Sequence, residues 1–127
     1  LKNITFIDSI SKEVVPEYLS IIDVSLVPLK KADTYKKVIP SKIFESAAMM
    51  KPILLGVEGQ AKEIIEKYNA GLCFEPENQD DFISNLKKIR QKALYHELQN
   101  GCSILAKAFD RKSLAKKMLT TLVKVTK

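Results

Sequence analysis

A chain of 127 residues with 46% hydrophobic and 28% charged residues has the composition of a globular domain, which argues against disorder. The net charge is +6 and the lysines are scattered along the chain, with only 2 Arg among the 21 basic residues and no Trp. Nucleic-acid readers depend on arginine and on stacking aromatics, so the excess charge favours anionic ligands or an anionic membrane face instead. The spacing of Cys73, Cys102 and His96 does not fit a metal site. We therefore expect the two cysteines to be reduced core residues of an intracellular protein.

The first part of the chain predicts two strands separated by a short helix. Residues 4–7 form a β-branched and aromatic run typical of a buried strand. Pro16 suits the first turn of a helix, which we expect over residues 16–22. A second strand is predicted at 24–27, and Pro28 ends it before a lysine-rich loop. The chain begins at Leu1 in a segment that already approaches a strand, and it shows no signal-peptide pattern, so we expect a fragment of a longer protein.

The central stretch predicts a helix followed by a buried strand. From Ser41, apolar residues recur at helical spacing at Ile43, Ala47 and Met50. Residues 52–56 then form a run with almost no polar position. Continuous apolar runs of this kind are typical of parallel sheets that are covered on both faces.

The rest of the chain is predicted to be mainly helical, with one further strand at 72–74. A helix with apolar positions 61, 64, 65 and 68 ends at residues 69–71. Asn78 is predicted to cap the next helix, and another begins near residue 91. Asp110 is predicted to cap a last helix that turns one apolar stripe inward, consisting of Leu114, Met118, Leu122 and Val125. These elements predict an α/β fold: a three-layer Rossmann-like parallel sheet of about four strands with C-terminal helices.

The chemistry of the central stretch suits a ligand that carries phosphates and hydroxyls. The first amides of a helix have no intrahelical partner, so those after Pro40 are a natural site for phosphate, with charge added by Lys42 and Lys37. Glu45, one turn into the helix, suits a pair of ribose hydroxyls. On spacing alone, Ser41 as a simple N-cap and Glu45 as a solvated residue remain the alternative. Gly59 before the next helix similarly fits either a phosphate loop or a plain turn.

Residues 40–55, read with their surroundings, resemble the donor-site segment of the retaining GT-B glycosyltransferases of family 4. The resemblance is greatest to bacterial members that build capsule, O-antigen and related surface polysaccharides. Residues 3–7, 15–19 and 22–28 also resemble segments of the family, as do Gly59, residues 63–65 and residues 70–72. The resemblance therefore extends from Asn3 to about Lys124.

The resemblance implies that residues 1–127 are part of a C-terminal domain that binds a nucleotide-diphosphate sugar, most often a UDP-sugar. Glu45 aligns with the second acid of the family's Glu-x7-Glu motif, which binds the donor ribose. The amides of Ser41, Lys42 and Ile43 would lie by the diphosphate, and the backbone of Ile10 and Ser11 would face the base. Lys37 replaces the first acid of the motif, and no catalytic residue, metal ligand or further cofactor is assigned.

The family resemblance also implies that other parts of a longer enzyme bind the acceptor and carry the catalytic groups. An N-terminal acceptor domain and two strand-helix units with the catalytic groups belong to the family and are not in this sequence, so we expect the isolated chain to be inactive. The acceptor would be a glycan or lipid-linked molecule, and the enzyme would work in the cytoplasm or at the inner face of the plasma membrane. Without the two strands, the strands at 4–7 and 24–27 would pair directly, or their edge would associate with another chain.

The sequence leaves two alternative functions open, and one alternative location for the last helix. A non-catalytic flavodoxin-like binding or signalling module is the main alternative, although the strand ends lack the acidic set of a receiver domain. A nucleic-acid-binding domain is the second, and no recognition motif supports it. The basic last helix is expected to dock on the sheet, with contact to an anionic membrane as the alternative.

Overall fold

The computed structural model describes residues 2–127, and they form a parallel sheet of three strands flanked by helices. The strands are β1 (Ser25–Pro28), β2 (Ile53–Gly56) and β3 (Gly71–Cys73), in the order β1-β2-β3. The helices are α1 (Val15–Ile21), α2 (Lys42–Ala48), α3 (Gln60–Tyr68), α4 (Gln79–Ile89), α5 (Lys92–Ala108) and α6 (Arg111–Val125), with a 3₁₀ turn at Asp33–Lys37. The predicted α/β class with C-terminal helices is confirmed.

The central strand β2 is buried on both faces, as its apolar run predicts. Ile53 and Leu55 lie in the main core with residues of α2, α3 and α5. Leu54 is equally buried but outside that cluster, since successive side chains of a strand point to opposite faces. Helix α4 packs on β2 and β3 and supplies a second apolar layer.

The strand predicted at residues 4–7 does not form, and this prediction is wrong. Residues 4–11 have no regular structure, and Phe6 is 94% exposed. A strand is stabilised only by pairing with a neighbour, and within residues 2–127 the outer edge of β1 pairs with no strand. The apolar run has a β-forming composition, but it pairs with no strand in the described chain, so the direct pairing expected between residues 4–7 and 24–27 is also absent.

Helix caps that depend on local sequence are confirmed. The Asn78 side chain accepts a hydrogen bond from the Asp81 amide at 3.0 Å, and Asp110 accepts one from the Ser113 amide at 2.8 Å. Hydrogen bonds from the Ser113 backbone N–H and from its side chain lower the pKa of the Asp110 carboxyl. Pro16 lies in the first turn of α1, as expected.

The inward stripe predicted for α6 is wrong, because none of the residues of α6 is buried. Helices α2, α3 and α5 already fill the sheet face on which the main core lies. Helix α6 therefore extends beyond them, with its apolar side chains exposed. No helix in the described part of the chain combines the length and apolarity needed to cross a membrane.

Helix α5 is held against the end of α3 by a close backbone approach. Asn69 ends α3 in the left-handed conformation, and a Cβ on Gly101 would overlap its carbonyl oxygen. The neighbouring Cys102 Sγ donates to the Ala70 carbonyl at 3.2 Å. Burial raises the pKa of Cys102 and of Cys73 to about 12, so both thiols remain protonated and unreactive at neutral pH.

We expect Gly101→Ala to destabilise the chain by about 1–3 kcal/mol, the usual cost of forcing extra volume into a packed contact. The physical reason is that backbone atoms of α3 and Asn69, which cannot rotate away, occupy the space of the new methyl group. Urea unfolding followed by circular dichroism measures the difference.

The matched control is Asn100→Ala, at an exposed position next to it in the same helix. This control should change the free energy of unfolding by less than about 0.5 kcal/mol. Equal stabilities for Gly101→Ala and the wild type would contradict the close approach of α5 to α3.

Candidate functional site

Helix α2 presents one face to the core and the other to a pocket. Ile43, Ser46 and Ala47 are buried, and the Ser46 hydroxyl donates to the Ser25 hydroxyl of β1 at 2.7 Å. This bond satisfies both hydroxyls inside the core and links α2 to the strand. Helical geometry then places Ser41, Glu45 and Ala48 on the open side.

The beginning of α2 leaves polar groups available. Ser41 occupies the N-cap position, but its side chain makes no capping hydrogen bond. Within residues 2–127, no backbone carbonyl accepts from the amides of Ser41 and Lys42. The Ile43 amide, in contrast, donates to the Pro40 carbonyl at 3.2 Å, and its side chain is fully buried. Of the three amides predicted to meet a diphosphate, two are therefore uncommitted.

An open pocket of about 730 Å³ lies between α2 and the junction of α5 with α6. The Phe44 ring on α2 meets the Phe109 ring at the end of α5, with centroids 4.8 Å apart, so aromatic packing joins the two walls. Ten residues line the pocket: Ile39, Ser41, Phe44, Glu45, Ala48, Ala106, Phe109, Asp110, Arg111 and Leu114.

Two charged side chains that line this pocket form no ion pair within the described residues. Neither Glu45 nor Arg111 takes part in any of the ion pairs found among the described residues. Asp110, by comparison, is committed to capping α6. One carboxylate, one guanidinium and the Ser41 hydroxyl thus line a single pocket. Such a set suits a ligand that has hydroxyl groups to donate and a negative charge to be met.

Lysines of the loop after β1 divide into paired and unpaired groups. The Lys31 ammonium donates to Glu75 at 2.6 Å, and this hydrogen bond lowers the pKa of the Glu75 carboxyl. Lys36 pairs with Asp33 at 2.7 Å. Lys37 and Lys42 are exposed and make no ion pair in the part of the chain that the structure describes. They therefore remain available to an anionic ligand.

Gly59 packs closely against the backbone of the loop that leads into α2. Its φ of 78° is in the region that favours glycine, and a Cβ there would overlap the Lys36 carbonyl. The close approach to the Lys36 backbone accounts for this glycine as a turn residue, without a phosphate.

The structure does not bring Ile10 and Ser11 into the pocket. Both lie exposed in or at the end of the irregular N-terminal segment, and neither lines the pocket described above. Their predicted role toward a nucleotide base gains no support from the geometry.

Sequence reasoning missed the second wall of the pocket, Phe109 and Arg111. These residues follow Glu45 by more than 60 positions, and no spacing rule connects them to α2. The only signal was that Arg111 is one of 2 arginines in a chain whose other basic residues are lysines.

A parallel sheet with uncommitted amides and a carboxylate at the start of a flanking helix defines a Rossmann-like α/β protein. Residues 1–109 match the family model of the group 1 glycosyl transferases. The chain therefore belongs to this family. The match includes Ser41, Glu45 and Phe109 and ends before Asp110 and α6. No curated protein and no solved structure matches the chain.

We expect Ser46→Ala to cost about 1–3 kcal/mol, because it leaves the buried Ser25 hydroxyl without its partner. The double variant Ser25→Ala/Ser46→Ala removes both polar groups and should be more stable than Ser46→Ala alone. Chemical unfolding of the wild type, both single variants and the double variant gives the coupling energy. Additive effects of the two substitutions would contradict a direct bond between α2 and β1.

Proposed function

We propose that residues 2–127 are the donor-binding part of a GT-B glycosyltransferase and that the donor is a UDP-sugar. Membership of the group 1 glycosyl transferases supports glycosyl transfer in general. The observation that carries the finer proposal is that the side chains of Ser41 and Glu45 line one pocket and, among residues 2–127, make no capping hydrogen bond and no ion pair. A nucleotide sugar has both of the groups that this pocket suits: a ribose with vicinal hydroxyls and a diphosphate.

In this proposal Glu45 accepts the two ribose hydroxyls, and the amides of Ser41 and Lys42 donate to the diphosphate. A carboxylate is an acceptor only, so it suits a diol that donates twice. Ile43 contributes chiefly through its buried side chain, which fixes the start of α2, since its amide is shared with Pro40. Lys37, in place of the motif's first acid, lies near the same loop as a further cation.

The reaction we propose is transfer of a hexose to a glycan or lipid-linked acceptor in bacterial surface polysaccharide synthesis, such as capsule or lipopolysaccharide. The acceptor would bind to a separate N-terminal domain, and the catalytic groups would lie outside these residues. We place the enzyme in the cytoplasm. The protonated, unpaired state of Cys73 and Cys102 is compatible with a reducing compartment.

The outer edge of β1 supports a further proposal about association. Edge strands present unpaired backbone groups, and β1 has no partner on that side among residues 2–127. We propose that another strand covers this edge, from the remainder of the enzyme or from a second copy.

UDP should raise the melting temperature of the wild-type chain, because a ligand that binds only the folded state stabilises it. Glu45→Ala should lose most of this shift, since a hydrogen bond to a charged group contributes about 1.5–3 kcal/mol. Thermal unfolding with UDP, ADP and GDP measures the effect and the preference for the base.

The matched control is Glu63→Ala, which also removes an exposed glutamate from the first turn of a helix. This variant lies outside the pocket and should keep the full UDP shift. A Glu45→Ala shift equal to that of the wild type would overturn the ribose assignment.

A further inference from the structure

A pair of serines forms a polar contact inside the apolar core. Ser46 on α2 is 1% exposed and Ser25 at the start of β1 is 9% exposed, and their hydroxyl oxygens lie 2.7 Å apart. Ile43 and Ala47, which share this face of α2, are fully buried apolar residues. Two apolar side chains could fill the space of the serines without needing a hydrogen-bond partner. Burial alone therefore does not account for a matched polar pair at this place.

Helix α2 is seated more narrowly by this hydrogen bond than by apolar packing. Apolar cores lose uniqueness before they lose stability, so contacts such as those of Ile43 and Ala47 tolerate small shifts of a helix. A shift that separated the two serines would instead leave two buried hydroxyls without partners. The helix has only seven residues, and the Ser41 side chain forms no capping hydrogen bond at its start. The serine pair is therefore the directional contact that sets the rotation of α2 on β1.

The rotation of α2 decides where the Glu45 side chain points. Glu45 directly precedes Ser46, so the two side chains leave the helix about 100° apart. Side chains reach about 5–6 Å from the helix axis, so a rotation of about 15° would move the Glu45 carboxylate by about 1.5 Å. Binding groups need to be held within about 0.5 Å of the productive position. The place of Glu45 in the pocket therefore depends on two residues that do not line it.

We propose that the Ser25–Ser46 hydrogen bond is a positioning contact, which holds Glu45 where its carboxylate accepts both ribose hydroxyls of the donor. This rests on the proposed function, because it requires a ribose at Glu45. Neither serine lines the pocket, so both act on the ligand only through α2. Both lie inside the core, so their contact needs no partner on the surface of the chain. The alternative is that the pair contributes to stability alone.

The preference for ribose over 2′-deoxyribose reports the position of Glu45 separately from overall stability. In the wild type, UDP should bind about tenfold more tightly than 2′-deoxy-UDP, because the latter lacks one hydroxyl that donates to the carboxylate. Ser25→Ala/Ser46→Ala removes both core hydroxyls and leaves neither unpaired, so the chain should remain folded. This variant should reduce the preference to about threefold or less, since a displaced carboxylate no longer meets both hydroxyls. Calorimetric titration measures both dissociation constants.

Two single variants of Ser25 provide a matched pair that differs only in the hydroxyl. Ser25→Thr keeps the hydroxyl and should keep the preference for UDP, whereas Ser25→Val has the same branched shape without it and should lose most of the preference. The control for a general loss of stability is Asn78→Ala, which removes the cap of α4 outside the pocket. This control should keep the full preference.

Two outcomes would overturn the positioning role. They are a Ser25→Ala/Ser46→Ala variant that keeps the full wild-type preference, and a Ser25→Val variant that matches Ser25→Thr. In either case the donor site would stand, since the wild type would still prefer UDP. Equal binding of UDP and 2′-deoxy-UDP to the wild type would instead overturn the ribose assignment of Glu45, and the positioning role with it.

Discussion

The packing of α2 between β1 and α5 is the constraint on which the rest of the molecule depends. Ile43 and Ala47 are fully buried, and the Ser46–Ser25 hydrogen bond fixes the helix on the strand. Because one face is committed in this way, the opposite face must carry Ser41 and Glu45 outward. The packing of this short helix therefore determines the position of the pocket, of its two free amides and of its carboxylate.

Features set by local sequence were predictable, and those set by distant partners were not. The caps by Asn78 and Asp110 and the buried run of β2 depend on a few neighbouring residues, and all were confirmed. The strand predicted at 4–7 did not form because a strand must pair with another strand, and a local pattern does not report whether that pairing occurs. The prediction that α6 turns its apolar stripe inward was wrong for a related reason. Its stripe has helical spacing like that of α4, but α4 finds an uncovered sheet face and α6 does not.

The site shows the same division. Helix spacing placed Ser41 and Glu45 at the start of one helix, and only the family resemblance favoured them as site residues. Phe109 and Arg111 reach the pocket through tertiary packing, by the contact of Phe44 with Phe109. The Phe109–Arg111 turn both closes the pocket and starts α6. The pocket therefore extends past the end of the family match, with Ser41, Glu45 and Phe109 inside residues 1–109 and Arg111 beyond them.

The central claim is that a nucleotide binds at the start of α2. The most direct test is a titration of the isotopically labelled chain with UDP, followed by the amide resonances in NMR. The account predicts that the largest shifts occur at Ser41, Lys42 and Glu45, with smaller ones at Phe109 and Arg111 across the pocket. Shifts confined to the loop around Lys31 and Glu75, with α2 unaffected, would contradict it.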